Sequence, residues 1–211
     1  MTESAQTLDR GLRVLAALAE SPQGLSAAEI AEQLGVARPI VYRLLTTLQA
    51  HGLARRAADR RFRLGLAVLA LARNVQPLLR DVALPVLRTL AGRVGATAHL
   101  TVADGDEALA VAVVEPSWTD YHVGYRVGSR HPLGLGAAGR AIAADPTGSD
   151  RNDWVVTTGE LQPGAHGVAA PVRGVTGLRA SVGVVALGTL DPAVVGPRVV
   201  AAADQIAAAL R

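Results

Sequence analysis

Apolar residues recur at intervals of three and four between residues 25 and 52, which is the spacing of two short helices with one buried face each. The first helix is expected to open at Ser26-Ala27-Ala28-Glu29, because this order of residues forms a capping box. In that box the serine hydroxyl accepts from the third helical amide, and the glutamate reaches back to the serine amide. Gly35 follows as a glycine suited to a left-handed helix end.

The second helix is predicted to open near Pro39, since proline is tolerated in a first turn, and to end at Gly52. Its buried stripe consists of Val41, Leu44, Leu45 and Leu48, and the other faces are largely polar. Two helices joined by so short a turn, with a polar second helix, are typical of a helix-turn-helix that lies in the major groove of DNA.

A basic hairpin is expected directly after the second helix. Residues 53–56 and 61–64 alternate as two short strands around a turn at 57–60, with Leu53 and Phe62 or Leu64 inward and arginines outward. From Arg38 to Arg63 there are seven arginines against one acid, a local charge of +6, whereas the whole chain carries +3. The charge is therefore a local patch that can bind phosphates by releasing counterions, the alternative being a solvated basic loop.

These residues resemble the DNA-binding domain of IclR-type bacterial transcriptional regulators. The matching stretches are LDRGLRVLAAL, LSAAEIAEQLGVARPIVYRLLTTLQAHGLA and RFRLGLAVLALA, and later RVGSRHPLGLGAAGRAIAA and GELQPGAHGVAAPV, which resemble the family's effector domain. The resemblance covers nearly the whole chain. It implies a winged helix-turn-helix domain over 1–65, a linker helix over 66–77, and a GAF-like effector-binding and oligomerisation domain over 78–211.

The candidate DNA contacts are the capping serine, the outer face of the second helix and the arginines of the hairpin. They are Ser26, Arg38, Pro39, Tyr42, Arg43, Thr46, Thr47, Arg55, Arg56, Arg60, Arg61 and Arg63. Arg38, Tyr42 and Arg43 are expected to contact bases, because arginine can bind guanine through two hydrogen bonds, and the threonines to contact phosphates. The hairpin arginines would position the protein on the backbone or in the minor groove.

Each of these contacts has a structural alternative. Arg43 could pair with an acid of its own domain, and Tyr42 could be half-buried. One departure from the family also bears on DNA recognition, because Pro39-Ile40 stands where the family usually has Ser-Thr. Two hydroxyl donors are thereby lost from the groove surface, so the family's operator sequence does not carry over to this chain.

Helices are predicted on both sides of the helix-turn-helix and its hairpin. Residues 1–6 are expected to be a loose tail, followed by a helix over 7–20 that packs behind the helix-turn-helix. Its proposed apolar face is Leu8, Leu12, Leu15 and Leu18. The resemblance implies that this helix also contributes to a dimer contact. Further helices are predicted over 66–76, where Pro77 interrupts, and over 78–94, with a kink at Pro85.

From Ala96 the apolar period changes from helical spacing to two. Strands are predicted at 98–103, 107–115, 122–127, 154–158, 168–172 and 178–187, and helices at 135–144 and 192–210. Asp104-Gly105 is a hairpin turn signal, residues 128–132 are expected to be a loop, and residues 174–177 a turn. Hairpins with helices at the edges indicate an α+β domain with a mainly antiparallel sheet.

The stretch Gly134-Leu135-Gly136-Ala137-Ala138-Gly139 matches the G-x-G-x-x-G pattern of dinucleotide sites. No strand runs straight into it and no parallel strand ending in an acid follows, so dinucleotide binding is rejected. Two interpretations stay open. The glycines could let the backbone approach an anionic ligand at a helix amino terminus, or they could allow close packing of helix on sheet.

The resemblance implies an effector pocket between this helix and the sheet. Carried over by position, its lining is Gly128, His131, Leu135, Gly136, Ala137, Glu160, Gly164, Val168 and Ala169. Gly134-Leu135-Gly136 replaces a stretch that usually supplies a polar side chain. The segment from Ala144 to Trp154 is much shorter than in the family, so the effector domain is shortened. The pocket could be open, small or absent, and the domain could serve mainly for oligomerisation.

Several classes of function are excluded by what the sequence lacks. The chain has no cysteine and its 21 basic residues are all arginine, so neither thiolate metal sites nor a P-loop lysine can form. No G-x-S-x-G or H-E-x-x-H pattern occurs, and the five histidines show no i,i+4 pair. We therefore expect no enzyme activity, no metal and no cofactor. No leader and no uncharged apolar run of about 20 residues was found, which predicts a soluble cytoplasmic protein without a membrane partner.

Taken together, the sequence predicts a sequence-specific DNA-binding transcriptional regulator that forms a homodimer or homotetramer. Its partners would be double-stranded operator DNA and a small-molecule effector, a carboxylate or an aromatic compound, bound in the second domain. The alternative is a ligand-sensing or oligomerisation scaffold with a vestigial DNA-binding head.

Overall fold

The structure, a computed structural model, describes residues 5–73, 75–118, 124–144 and 153–211. The chain forms two compact units, one through Val75 and one from Gln76. The elements of the first unit are α1 (Gln6–Ala19), α2 (Ala27–Leu34), α3 (Arg38–Ala50), β1 (Ala54–Arg56), β2 (Phe62–Leu64) and α4 (Ala67–Ala72). The helix-turn-helix followed by a two-stranded wing is thus confirmed.

The local signals around α2 and α3 act as predicted. Ser26 Oγ accepts from the Glu29 amide at 3.2 Å, and Glu29 Oε2 accepts from the Ser26 amide at 2.7 Å, which completes the capping box. Gly35 ends α2 in the left-handed conformation, with φ at 66°. All four apolar residues of the α3 stripe are buried: Val41, Leu44, Leu45 and Leu48.

The apolar face assigned to α1 is correct at one end and wrong at the other. Val14 and Leu18 are buried against α2 and α3, whereas Leu8 and Leu12 are 62% and 57% exposed. The helix therefore uses its carboxyl-terminal half to close the small core of the first unit. Its amino-terminal half leaves two leucines without cover in the single chain.

The wing packs through alternate residues of its two strands. Ala54 pairs with Leu64 and Arg56 with Phe62, and Ala54 and Phe62 are the buried members. Leu53, predicted to point inward, is half-buried. Leu25 exchanges both backbone hydrogen bonds with Phe62, at 2.9 and 2.7 Å, so the segment before α2 adds a bridge to the wing.

The helix that opens the second unit begins at Val75, about one turn earlier than the helical spacing predicted. Its elements are α5 (Val75–Val94), β3 (Thr97–Asp104), β4 (Glu107–Val114), β5 (Arg130–Pro132), α6 (Gly136–Ala143), β6 (Val155–Thr158), β7 (Ala165–Val172), β8 (Ala180–Leu187) and α7 (Pro192–Leu210). Pro77 does not interrupt a helix but falls in the first turn of α5, where its missing amide donor costs no helical hydrogen bond.

Six antiparallel strands form one sheet in the order β5-β4-β3-β8-β7-β6. The strand predicted at 122–127 is wrong where it can be judged, because residues 124–127 are irregular or turn; His122 and Val123 lie outside the described residues. The edge strand is instead β5, which pairs with β4 where a loop was expected. The shortened segment after α6 also lies outside the described residues over 145–152.

The two faces of this sheet differ in chemistry. One face presents Leu100, Val168, Val182 and Val184, and it packs with Leu87 of α5 and Ile206 of α7 in the main core. The six buried polar residues of the described chain are Thr97, His99, Thr101, His131, Thr157 and Ser181. All six lie on the opposite face, since pairing puts His99 beside Gly183 and Thr101 beside Ser181, and the other three fall on the same side of their strands. Helix α6 covers this polar face.

Helix α7 is, among the described residues, the one helix long and apolar enough to cross a membrane by length and composition. Its buried side chains include Val199, Ala203 and Ile206, all of which belong to the core under the sheet. The burial of that face is typical of a core helix in a globular domain.

Candidate functional site

The outer face of α3 is exposed and free of internal ion pairs. Arg38, Pro39, Arg43 and Thr46 are exposed, and Tyr42 is 53% exposed. No salt bridge to Arg43 or Arg38 occurs within the described part of the chain. The guanidinium groups on this helix are therefore available to an external partner.

The two threonines of α3 use their hydroxyl protons inside the helix. Thr46 Oγ1 donates to the Tyr42 carbonyl at 2.9 Å, and Thr47 Oγ1 donates to the Arg43 carbonyl at 3.1 Å. Such bonds to the preceding turn exchange readily, because the hydroxyl can rotate towards a better acceptor. Ser26 differs, since its oxygen accepts from the Glu29 amide and its own proton stays free to donate.

Arg61 serves the first unit internally. Its Nη2 lies 2.8 Å from both oxygens of Glu29, and its Nε donates to the Gly24 carbonyl at 2.9 Å. Glu29 also accepts from the Ser26 amide, and these bonds to its ionised form lower the pKa of its carboxyl to about 2, the Ser26 amide contributing most. One guanidinium thus ties the wing to the start of α2.

The remaining wing arginines divide into two groups. Arg63 donates to the Gln23 carbonyl at 3.2 Å and pairs with Asp59 at 2.7 Å, so it is also used internally. Arg56 lies over the Phe62 ring, 5.7 Å from its centroid. Arg55 and Arg60 are exposed, with no ion pair to any described residue. The free positive charge of the wing is therefore carried mainly by Arg55, Arg56 and Arg60.

In the second unit, a cavity of about 40 Å³ lies between α6 and the polar face of the sheet. Its lining is His99, Tyr125, His131, Ala137, Ala138, Thr157, Glu160, Leu161, Ala165, Gly167, Val184 and Val185. A volume of this size has room for only a few water molecules. The cavity is a small recess, partly open to solvent, that is lined by both apolar and polar side chains.

A chain of hydrogen bonds runs along one wall of the cavity. His99 Nδ1 lies 3.1 Å from Thr101 Oγ1, Tyr125 OH lies 3.4 Å from the same oxygen, and Tyr125 OH lies 3.3 Å from His131 Nε2. Burial lowers the pKa of His99 to about 3, with a smaller effect from the charge of His131, and burial raises the pKa of Tyr125. His99 and Tyr125 are therefore both uncharged at neutral pH.

Glu160 closes the other side of the cavity at the amino terminus of α6. Its Oε2 accepts from the Gly136 amide at 2.9 Å, and its Oε1 lies 3.0 Å from Arg140 Nη2. No group of three or more histidine, aspartate or glutamate residues among the described positions could hold a metal ion.

The structure brings together three of the nine residues predicted to line an effector pocket, namely His131, Ala137 and Glu160. Gly136 and Leu135 lie at the start of α6, beside Glu160. Ala169 packs against α6 beneath the cavity. The other three predicted residues lie away from it: Gly128 and Gly164 in open turns and Val168 in the core on the opposite face of the sheet.

Several lining residues were missed, above all His99, Tyr125, Thr157 and Leu161. A signal for His99 existed in the alternation of β3, where His99 and Thr101 share a face opposite Ala98 and Leu100. Two polar residues on one face of a buried strand indicate a polar recess. Nothing in the sequence placed Tyr125 or Thr157 beside them.

The glycine-rich stretch has two separate roles. An ideal Cβ on Gly139 would lie 2.6 Å from the Leu133 carbonyl oxygen, so this glycine allows close packing of α6. Gly136 has φ at +72°, a conformation that side chains other than glycine rarely adopt. Gly134 lies in open space. Close packing of helix on sheet therefore applies to Gly139, and the approach of an anionic ligand to the backbone stays a prediction.

Two family models match the chain. A model described as the IclR helix-turn-helix domain matches residues 7–58, and one described as the bacterial transcriptional regulator IclR C-terminal domain matches residues 74–152. The HTH-type transcriptional regulator Rv1719 of Mycobacterium tuberculosis is 36% identical over 140 residues, which is 66% of this chain and 54% of that protein. The transcriptional repressor IclR of Escherichia coli is 28% identical over 152 residues, which is 68% of this chain and 54% of that protein.

The chain thus spans about half the length of the curated relatives it matches. Among solved structures, an IclR homologue from Microbacterium hydrocarbonoxydans in complex with 4-hydroxybenzoate is similar, with a TM-score of 0.57. Its identity is 23%, and the match covers 97% of this chain and 99% of that one. At this identity the likeness supports the fold, over both units of the chain.

Proposed function

We propose that this chain, which belongs to the IclR family of bacterial transcriptional regulators, binds operator DNA. We propose further that a small molecule changes its affinity for that DNA. The observation that carries the DNA-binding half of this proposal is the exposed outer face of α3. That face presents Arg43 and Tyr42, and neither is occupied by an acid of the described chain.

The charge distribution supports DNA as the partner. Arg38 and Arg43 lie on α3, and Arg55, Arg56 and Arg60 lie on the wing that packs beside it. A helix in the major groove with a basic hairpin against the backbone combines base contacts with phosphate contacts. Arg61 and Arg63 contribute less directly, because their guanidinium groups hold the wing in place.

Binding as a homodimer fits the exposed leucines of the first unit. Leu8 and Leu12 on α1, together with Leu66, Leu69 and Leu71 around α4, are each more than half exposed in the single chain. A second copy that covers some of them would present two α3 helices to half-sites about one helical turn apart, roughly 34 Å, or a multiple of that spacing. Two such dimers would associate through the second unit to form a homotetramer.

The cavity beneath α6 is the proposed effector site. The chain's similarity in fold to a protein that was solved in complex with 4-hydroxybenzoate supports a small organic acid as the class of effector. With a volume of about 40 Å³, the cavity must enlarge before it can take a molecule of that size. We place the protein in the cytoplasm, where operator DNA is found.

The test begins with selection of binding sequences from a random duplex library, followed by mobility shift at low and high salt. A regulator gives a complex with the selected sequence that survives high salt and discriminates against a scrambled duplex. A scaffold with a vestigial head gives a weak complex that salt abolishes for every sequence alike, because only phosphate contacts remain. That result would rule out the proposed function.

A further inference from the structure

The amino terminus of α6 already holds a carboxylate, and that carboxylate belongs to the protein. Leu135, at the N-cap position, supplies no side-chain hydrogen bond. The Gly136 amide instead donates to Glu160, 24 residues further along the chain, at 2.9 Å. Arg140, one turn into α6, binds the other oxygen of the same carboxylate at 3.0 Å. Amide, guanidinium and helix dipole together form a site for one carboxylate group.

Leu161 covers the same place from the outside. An ideal Cβ on Gly136 would lie 2.6 Å from Leu161 Cδ1, so the leucine side chain rests directly on the first residue of α6. Glu160 and Leu161 belong to the connection between β6 and β7, which is flanked by Gly159 and Gly164, both with positive φ. We call these two residues the plug, because both line the cavity and occupy the start of α6.

Behind the plug, the cavity is built to receive a polar group. His99 is 4% exposed, and its Nδ1 is bonded to Thr101, while no described residue hydrogen-bonds to its Nε2. Thr157 and Tyr125 place two further hydroxyl groups on the lining. A ligand with a hydrogen-bonding group therefore has His99 Nε2 and these hydroxyl groups as partners on the lining.

We propose that Glu160 is an intramolecular carboxylate ligand of the α6 amino terminus, and that a small carboxylate effector binds by taking its place. The effector's carboxylate would accept from Gly136 and pair with Arg140, and the rest of the molecule would extend towards His99 and Tyr125. This inference rests on the proposed function, since it concerns the same cavity. It adds that the protein competes with its own effector.

The strength of the plug is set by groups that water can reach. The Arg140 and Glu160 side chains are 49% and 23% exposed, and partly exposed ion pairs are weak. A ligand at sufficient concentration can therefore replace Glu160 without breaking the fold. Displacing the plug also removes Leu161 from the start of α6, which enlarges a cavity of about 40 Å³ towards the outside.

The test compares the binding of acetate, propionate and benzoate to the wild type and to Glu160→Gln by calorimetry, with the Gly136 amide followed by NMR. A carboxylate seated in about nine of ten molecules lowers the apparent affinity of a competitor about tenfold. We therefore expect Glu160→Gln to bind at least one of these carboxylates about tenfold more tightly, with a shift of the Gly136 amide on titration.

Two further variants test whether the charge or the length of the Glu160 side chain determines the competition. Glu160→Asp keeps the charge but is one methylene shorter, so it cannot span both Gly136 and Arg140, and it should also bind more tightly than the wild type. Glu115→Gln removes a carboxylate from an exposed position in the same unit and should leave affinity unchanged. Tryptophan emission of each variant verifies the fold of the second unit, where both tryptophans lie.

Weaker or unchanged binding by Glu160→Gln would overturn the proposal, as would the absence of any carboxylate binding to wild type and variants alike. Mobility shift on the same samples keeps this outcome separate from the proposed function. Intact DNA binding without carboxylate binding overturns the inference alone. If the wild type shows no sequence-specific DNA binding, the proposed function is overturned. The calorimetric comparison of carboxylate binding between the wild type and Glu160→Gln then still stands.

Discussion

The His99 imidazole lies directly over Gly183, the residue opposite it on the neighbouring strand β8. An ideal Cβ on Gly183 would lie 2.6 Å from His99 Cε1 and 2.9 Å from His99 Nε2. The same Cβ would lie 3.0 Å from the Ala169 side chain. The glycine is therefore what gives a buried histidine room on the polar face of the sheet.

Replacing this glycine should destabilise the second unit. We expect Gly183→Ala to lower its free energy of unfolding by about 1–3 kcal/mol, because overpacking a filled interior forces side chains from their preferred positions. Urea unfolding followed by tryptophan emission measures this effect. Both tryptophans, Trp118 and Trp154, lie in the second unit, so the signal does not depend on the first.

Gly134→Ala is the matched control, because an ideal Cβ at Gly134 meets nothing within 4 Å. The double variant His99→Ala with Gly183→Ala should recover part of the loss, since the clashing ring is gone. Equal unfolding midpoints for Gly183→Ala and Gly134→Ala would show that His99 moves aside at no cost.

His99 also predicts how the stability of the second unit depends on pH. Burial lowers its pKa in the folded protein to about 3, from an ordinary value of 6.5, and the titratable groups that face it are Tyr125 and His131. Between these two values the unfolded chain binds a proton that the folded protein does not. Stability should therefore fall as the pH decreases from 6.5 towards 3, by up to about 1.4 kcal/mol per pH unit.

The measurement is urea unfolding at several pH values for the wild type and His99→Gln. The glutamine variant should lose most of this slope, because it has no group to protonate. His166→Gln removes a half-exposed histidine of the same sheet and serves as the control. Parallel loss of stability in wild type and His99→Gln would assign the pH dependence to other groups.

The parts of the fold that the sequence predicted are those determined by near neighbours along the chain. The capping box at Ser26, the left-handed glycine at Gly35 and the α3 stripe each depend on residues within one or two turns. The wing strands also followed from local alternation. Where the prediction failed, at β5, the strand owes its existence to pairing with β4 and has three residues, too few to show a period.

The candidate sites needed contacts between distant parts of the chain. Arg61 was expected to face DNA, yet its hydrogen bonds join it to Glu29, 32 residues away. The carboxylate of Glu160 reaches α6 across 24 residues, which no spacing rule predicts. His99 was visible in the alternation of β3, but its role became clear only once strand pairing placed Gly183 beneath it.

The wing arginines should separate into structural and DNA-contacting residues. Arg61→Ala removes the hydrogen bonds to Gly24 and Glu29, so amide hydrogen exchange in α2 and the wing should become faster. Arg60→Ala should leave exchange unchanged, because no ion pair to a described residue is lost. Instead, it should reduce the salt dependence of DNA binding by about one phosphate contact. This division would be contradicted if amide hydrogen exchange became faster in Arg60→Ala and stayed unchanged in Arg61→Ala.

Arg43, exposed on the outer face of α3, is the residue expected to contribute most to sequence discrimination. Arg43→Ala should weaken binding to a selected operator by about 1–3 kcal/mol and reduce the preference over a scrambled duplex, because a bidentate contact to guanine is lost. Arg88→Ala, an exposed arginine of the second unit, removes the same charge and should not alter discrimination. Fluorescence anisotropy at two salt concentrations measures both quantities. If Arg43→Ala weakens every duplex equally and lowers the salt slope, the guanidinium binds a phosphate and sequence is read by other residues of α3.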